Sequence, residues 1–252
     1  MQPTERLVAL VTGGSRGIGA ATAAALAARG YDVVITYRNK AARASKVAAE
    51  IIQRGTQAIA VRGDITQQQD IDQLFAAIQA WRGRLDLLVL NASGGLERDL
   101  LAADPNYPMR INRDAQLALL EGALPLMPRS SVVVFVTSHW AHRYGQIEQL
   151  PNYAPIAETK YAGEQALRAQ QERLAQRGIR LIVVTGDLIE GTITPKLLER
   201  KAPGLADQRR GQIGALPTAS DMGEAIAAAA TDPTLPSGHT VIVGGTLEST
   251  PD

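Results

Sequence analysis

The chain has 252 residues, 45% of them hydrophobic, with 26 Lys plus Arg against 25 Asp plus Glu, a formal net charge of +1, and no cysteine. Such a composition suits a globular chain with enough apolar side chains for a sizeable core. It excludes disulfides, thiolate nucleophiles and cysteine-held zinc or iron–sulfur centres, and it offers no broad basic field for nucleic acid or an anionic membrane.

The first apolar run, 7–11, is only five residues long before glycines begin. That is far short of a signal segment or a membrane span, so the chain is read as cytoplasmic. Further short apolar runs at 33–36, 58–61, 85–90, 132–137, 181–184 and 240–243 are predicted to be buried parallel strands. Between them lie alanine-rich stretches with helical patterning, such as 20–29, 43–54, 71–81, 113–126 and 157–177. No linker, repeat or low-complexity tract divides the chain, so 1–252 is taken as one domain. Alternating strands and helices imply right-handed crossovers and an α/β doubly wound parallel sheet, three layers deep, of about seven strands. Ligands of such sheets bind beyond the carboxyl ends of the strands.

The first strand runs into Thr12-Gly13-Gly14-Ser15-Arg16-Gly17-Ile18-Gly19 and then an alanine-rich helix. Glycines allow a tight turn and close approach of a pyrophosphate, and a helix N-terminus offers free N–H groups with partial positive charge. The pattern T-G-x-x-x-G-x-G resembles that of the short-chain dehydrogenase/reductase family, and further matches extend over nearly the whole chain. Gly63-Asp64-Ile65 stands where the family contacts adenine, and Asn91-Ala92 is similar to part of its N-N-A-G turn. Asn112 and Ser138 match the family's catalytic Asn and Ser, and residues 238–245 resemble its last strand with paired glycines.

The resemblance implies a Rossmann fold, carbonyl reduction with a nicotinamide cofactor, and a homotetramer or homodimer. It places Gly13, Ser15, Arg16, Gly17, Ile18, Gly19, Asp64, Ile65, Asn91, Ala92, Lys160 and, displaced by one position, Thr192 against the cofactor. At the end of the second strand, where a carboxylate would accept from the ribose 2′-hydroxyl of NAD, the chain has Tyr37-Arg38-Asn39-Lys40. A guanidinium fork suits a 2′-phosphate, so Arg38, with Arg16, points to NADP(H).

The family's donor is the Tyr of Tyr-x-x-x-Lys, beside a Ser. Here Lys160 matches the lysine, but the position four residues earlier is Ile156, which has no proton to give. Ser138 and Lys160 are 22 positions apart, five more than the family's usual 17, so residues have been inserted between them. Tyr153 is the substitute the sequence offers, with Tyr144 in the inserted loop as the other. Seven residues of continuous helix would separate Tyr153 from Lys160 by about 10 Å along the axis, which disfavours it. Pro155 instead allows Tyr153 to lie in the loop entering the helix.

Asp187 follows the sixth strand where most relatives have Pro-Gly, and is read as capping its turn. His139 and His142 have no third ligand nearby, so no metal is expected. The segment 192–214 matches the family's substrate lid, and its Lys196, Arg200, Lys201, Arg209 and Arg210 are read as a solvated face or a welcome for an acidic substrate. The reading is an NADPH-dependent reductase of a ketone, with a small-molecule or 3-oxoacyl-thioester substrate. Its rival, resting on Ile156, is a nucleotide-binding protein without redox turnover.

Overall fold

The computed structural model describes residues 6–150 and 152–245. Seven parallel strands form one sheet: β1 (Val8–Val11), β2 (Asp32–Tyr37), β3 (Ala58–Arg62), β4 (Leu87–Leu90), β5 (Val132–Ser138), β6 (Arg180–Gly186) and β7 (Thr240–Val243). Their order is β3-β2-β1-β4-β5-β6-β7. β1, β4 and most of β2, β5 and β6 are buried, as runs of Val, Leu and Ile require when helices cover both faces.

In chain order the helices are α1 (Gly17–Ala28), α2 (Ala41–Gln53), α3 (Gln68–Trp81), α4 (Arg98–Ala103), α5 (Tyr107–Met109), α6 (Ala115–Ala123), α7 (His139–His142), α8 (Ala154–Arg168), α9 (Gln171–Gln176), α10 (Ile193–Glu199), α11 (Leu205–Ile213) and α12 (Ala219–Thr231). Apolar residues of α1, α2 and α12 pack on one face of the sheet, and those of α3, α6, α8 and α9 on the other. A third cluster lies at the carboxyl end of the sheet, joining Trp140, Tyr153, Ile156, Leu188, Leu198 and Leu216.

Two expected helices are interrupted. The 157–177 stretch divides into α8 and α9, and α6 is preceded by a π-helical turn, Arg110–Asp114, that carries Asn112. At Gly163 a Cβ would overlap the carbonyl oxygen of Asn112, so α8 and this turn touch backbone to backbone. α12 begins with a capping box: Thr218 Oγ1 accepts from the Asp221 N–H, and the Asp221 carboxylate accepts from the Thr218 N–H. The Thr-x-x-Asp signal for that helix is present in the sequence.

The strand order reverses between β1 and β4, which opens a crevice at their carboxyl ends. In the register of β5 with β6, Ser138 is paired with Gly186, setting the last residue of one strand beside the Asp187 turn of the other.

Candidate active site

Thr12 fastens the floor of the crevice. Its hydroxyl donates to Val89 O and accepts from the N–H groups of Asn91 and Ala92, each of these last two at 3.0 Å. Asn91 Nδ2 donates back to Thr12 O at 2.9 Å. Gly13 and Gly17 have φ of +67° and +54°, a left-handed conformation that favours glycine. At Gly19 a Cβ would overlap the carbonyl oxygen of Gly13 and crowd Asn91 Nδ2.

The result is a cleft lined by Gly13, Arg16, Gly17, Ile18, Thr192 and Lys196, with the N-terminus of α1 at its side. Amide groups, a helix N-terminus and two cations suit a diphosphate. Thr192 stands against Gly17, its Cγ2 3.7 Å from where a Cβ on that glycine would fall. Lys196 sits in this cleft rather than on an outer face; its place depends on how residues 191–196 meet the glycine turn, which no local pattern encodes.

Arg38, at the end of β2, donates to the Tyr107 hydroxyl at 3.0 Å, and its Nη1 lies 3.8 Å from Asp64 Oδ2. Asp64 also accepts from Thr66 N and Oγ1, at 3.0 and 2.7 Å. Ile65 turns into the core beside Ile71 and Leu74, and Ser15 is half-buried on the glycine loop.

The neighbouring cavity, about 590 Å³ of empty space including its mouth, is lined by Ser138, Tyr153, Lys160, Asn91, Asp187 and Trp140, among others. Tyr153 is the N-cap of α8, outside the helix, with Pro155 in the first turn. Its ring is buried, and its hydroxyl lies 3.0 Å from Ser138 Oγ. Ser138 Oγ also accepts from the Ala141 N–H at 3.3 Å, which fixes its direction.

Burial pushes the Tyr153 phenol above its ordinary value of 10.0, opposed by the bond with Ser138, so the group keeps its proton at neutral pH. Burial also lowers the Lys160 ammonium from 10.5 to about 8, an effect that the charge of Glu164 opposes. Ile156 is buried with its side chain against Gly95 and its Cδ1 where a Cβ on that glycine would fall. Tyr144 packs its ring on Tyr161, centroids 6.1 Å apart, and is not among the cavity's lining residues. Asn112 spends its amide on Gly94 O and Thr159 Oγ1, at 2.9 and 3.0 Å, while its Oδ1 accepts from Gly94 N at 3.2 Å. It thereby ties the loop after β4 to α8.

Asp187 does more than cap its turn. Oδ1 accepts from Leu188 N at 2.7 Å, and both carboxylate oxygens accept from Arg209, at 2.6 to 3.1 Å. The two side chains are 0% and 7% exposed, so this is a buried ion pair, and Arg209 is no part of a solvated face. His139 lies beside it, with Nδ1 3.0 Å from Thr185 Oγ1. Burial and the adjacent Arg209 hold His139 down to about 4, against the pull of Asp187, so its ring is neutral. His142 Nδ1 bonds the buried Glu164 at 2.8 Å, as does Arg168 Nε at 2.9 Å. Among the described residues no group of His, Asp and Glu is arranged to hold a metal, and no helix is long and apolar enough to cross a membrane.

The chain is 32% identical over 188 residues, 73% of its length, to 1-cyclohexenylcarbonyl-CoA reductase of Streptomyces collinus. It spans 65% of that protein's length, and 37% and 58% of two other curated reductases. A solved short-chain dehydrogenase of Burkholderia cenocepacia J2315 in complex with NADP is 27% identical, with a TM-score of 0.82 over 98% of this chain and 99% of that one. The promiscuous reductase LugOII, which catalyses keto-reduction at C1 during lugdunomycin biosynthesis, is also 27% identical, with a TM-score of 0.81 over 96% of this chain and 98% of that one. The family model for short chain dehydrogenases matches residues 7–202, which hold six of the seven strands, and the chain belongs to that family.

Proposed function

We propose that the protein reduces a ketone with NADPH, and that Tyr153 gives the proton. The observation that carries the reading is the meeting of Ser138 and Tyr153 hydroxyls at 3.0 Å in a cavity that Lys160 also lines. The glycine cradle accepts a diphosphate, and Arg38 and Arg16 supply cations where a 2′-phosphate would lie, with no carboxylate at the end of β2. NADP in the Burkholderia relative supports the same choice of cofactor.

When bound, the reduced nicotinamide supplies a hydride to the carbonyl carbon. Ser138 donates to the carbonyl oxygen and holds it beside Tyr153. The Tyr153 O–H bond breaks as the new O–H bond forms on that oxygen, leaving an alcohol and a phenolate. Lys160, as a buried ammonium, stabilises the phenolate and binds the nicotinamide ribose. Asn112 keeps the loop after β4 and α8 in place around these groups. Ketones are the substrate class; a 3-oxoacyl thioester is one carrier of such a carbonyl. Subunits pairing through α6 and α8, and a cytoplasmic setting, belong to the same reading.

The test is NADPH oxidation followed at 340 nm across a panel of ketones, repeated with NADH. We expect turnover with NADPH and at least tenfold weaker affinity for NADH. Equal or better use of NADH removes the Arg38 argument; NADPH binding with no oxidation by any ketone overturns the reductase reading in favour of a silent nucleotide-binding protein.

A further inference from the structure

A carboxylate stands beside the cation that faces the 2′-phosphate. Asp64, shortly after β3, has its Oδ1 taken by Thr66 N and Oγ1, which leaves Oδ2 without a hydrogen bond among the described residues and 3.8 Å from Arg38 Nη1. A guanidinium next to a free carboxylate oxygen is drawn onto it, and a closed pair would offer a phosphate little net charge. The pair stays open here because Nη1 is engaged elsewhere. It donates to the Tyr107 hydroxyl at 3.0 Å.

Tyr107 is the first residue of α5, in the segment after β4, and no sequence motif singles it out. Its ring is 4% exposed and belongs to the apolar cluster that holds Ile65 and Ile111. Gly94 backs the hydroxyl, since a Cβ there would come within 2.9 Å of it, and Asn112 holds Gly94 by both its N–H and its carbonyl. The hydroxyl therefore has a set position, to which the longer and more exposed Arg38 comes. Burial, with the nearby charge of Glu97, pushes the phenol above its ordinary value of 10.0 against the pull of Arg38, so it is a neutral acceptor that leaves the charge of the guanidinium uncancelled. Nε and Nη2 of Arg38 have no partner among the described residues, and the side chain is 34% exposed. Those two nitrogens form an edge of the planar fork that can take a phosphate with two parallel hydrogen bonds.

We propose that Tyr107 is a positioning residue for the choice of cofactor: its hydroxyl holds Arg38 off Asp64 and leaves the Nε and Nη2 edge of the guanidinium for the 2′-phosphate of NADP(H). The proposal rests on the reading of Arg38 as the partner of that phosphate. It gives the preference for NADP(H) a second determinant, one that acts only through Arg38.

NADP+ and NAD+ differ only in this phosphate, and calorimetric titration with each reads the effect without any ketone. The unaltered protein should bind NADP+ more tightly by about tenfold or more. Tyr107→Phe keeps the buried ring; it should weaken NADP+ about fivefold or more, through loss of one hydrogen bond to a charged group, and leave NAD+ within about twofold. In an Arg38→Leu background the same substitution should change neither dinucleotide by more than about twofold, because the partner it positions is gone. Weakening of both dinucleotides together would mark a packing role and overturn the proposal, as would a loss for NADP+ that persists without Arg38. Unchanged NADP+ affinity in Tyr107→Phe overturns it as well, and in that case an Arg38→Leu protein that has lost NADP+ affinity leaves the reading of Arg38 standing. An Arg38→Leu protein that binds NADP+ as before removes that reading and the proposal with it.

Discussion

Tyr153→Phe should lower kcat for ketone reduction by about 10²- to 10⁴-fold, the usual worth of a positioned proton donor, while leaving NADPH affinity within about threefold. Phenylalanine keeps the buried ring and its packing with Trp140 and Leu188, and only the hydroxyl 3.0 Å from Ser138 is lost. A variant that retains full activity would show that the proton comes from elsewhere. The pH profile carries the same assignment through Lys160. With its ammonium lowered to about 8 by burial, the rate should be level near neutrality and fall above about pH 8 as the charge is lost. Glu164 raises the value, so Glu164→Gln should move that fall to lower pH. A limb that stays put or moves upward would separate Lys160 from the pH dependence.

Asp187→Asn should destabilise the protein by about 3–5 kcal/mol, the cost of leaving one charge of a buried pair uncompensated. For a chain of this size that corresponds to a fall in Tm of roughly 10 °C. Arg209 is held by both carboxylate oxygens, with the Gly245 backbone close against the pair. Replacing both partners with apolar residues, Asp187→Leu with Arg209→Met, should recover much of the loss, because two desolvated charges are removed together. Thermal unfolding of the single and double variants distinguishes this from a surface pair, whose loss would cost 1 kcal/mol or less. Since Asp187 also lines the cavity beside Ser138 and Tyr153 and Arg209 belongs to α11, the pair ties α11 to the turn after β6. The family's usual Pro-Gly would make no such link.

The sheet and the glycine turn were legible because they are written locally. Buried strands need continuous Val, Leu and Ile, and the glycine turn needs its residues within one loop, so both can be read in a single window. The cavity around Ser138 and Tyr153 depends on contacts that no window contains. The axial-rise argument against Tyr153 applies to a residue inside the helix. In the fold Tyr153 is the N-cap, its ring is free to turn back, and Pro155 was the local sign of that start. Arg209 reads in sequence like its neighbours Arg200 and Arg210. Only the folding of α11 against the turn after β6 makes it the buried partner of Asp187. The place of Lys196 was hidden for the same reason, since its cleft forms where residues 191–196 meet the glycine turn.

The most direct measurement follows the hydride itself. Protein mixed with a reducible ketone and NADPH deuterated at the transferring C4 position should yield an alcohol carrying one deuterium on the former carbonyl carbon, detected by mass spectrometry, with one NADP+ formed per alcohol. An alcohol with no deuterium, or bound NADPH that stays reduced in the presence of every ketone offered, would contradict the account.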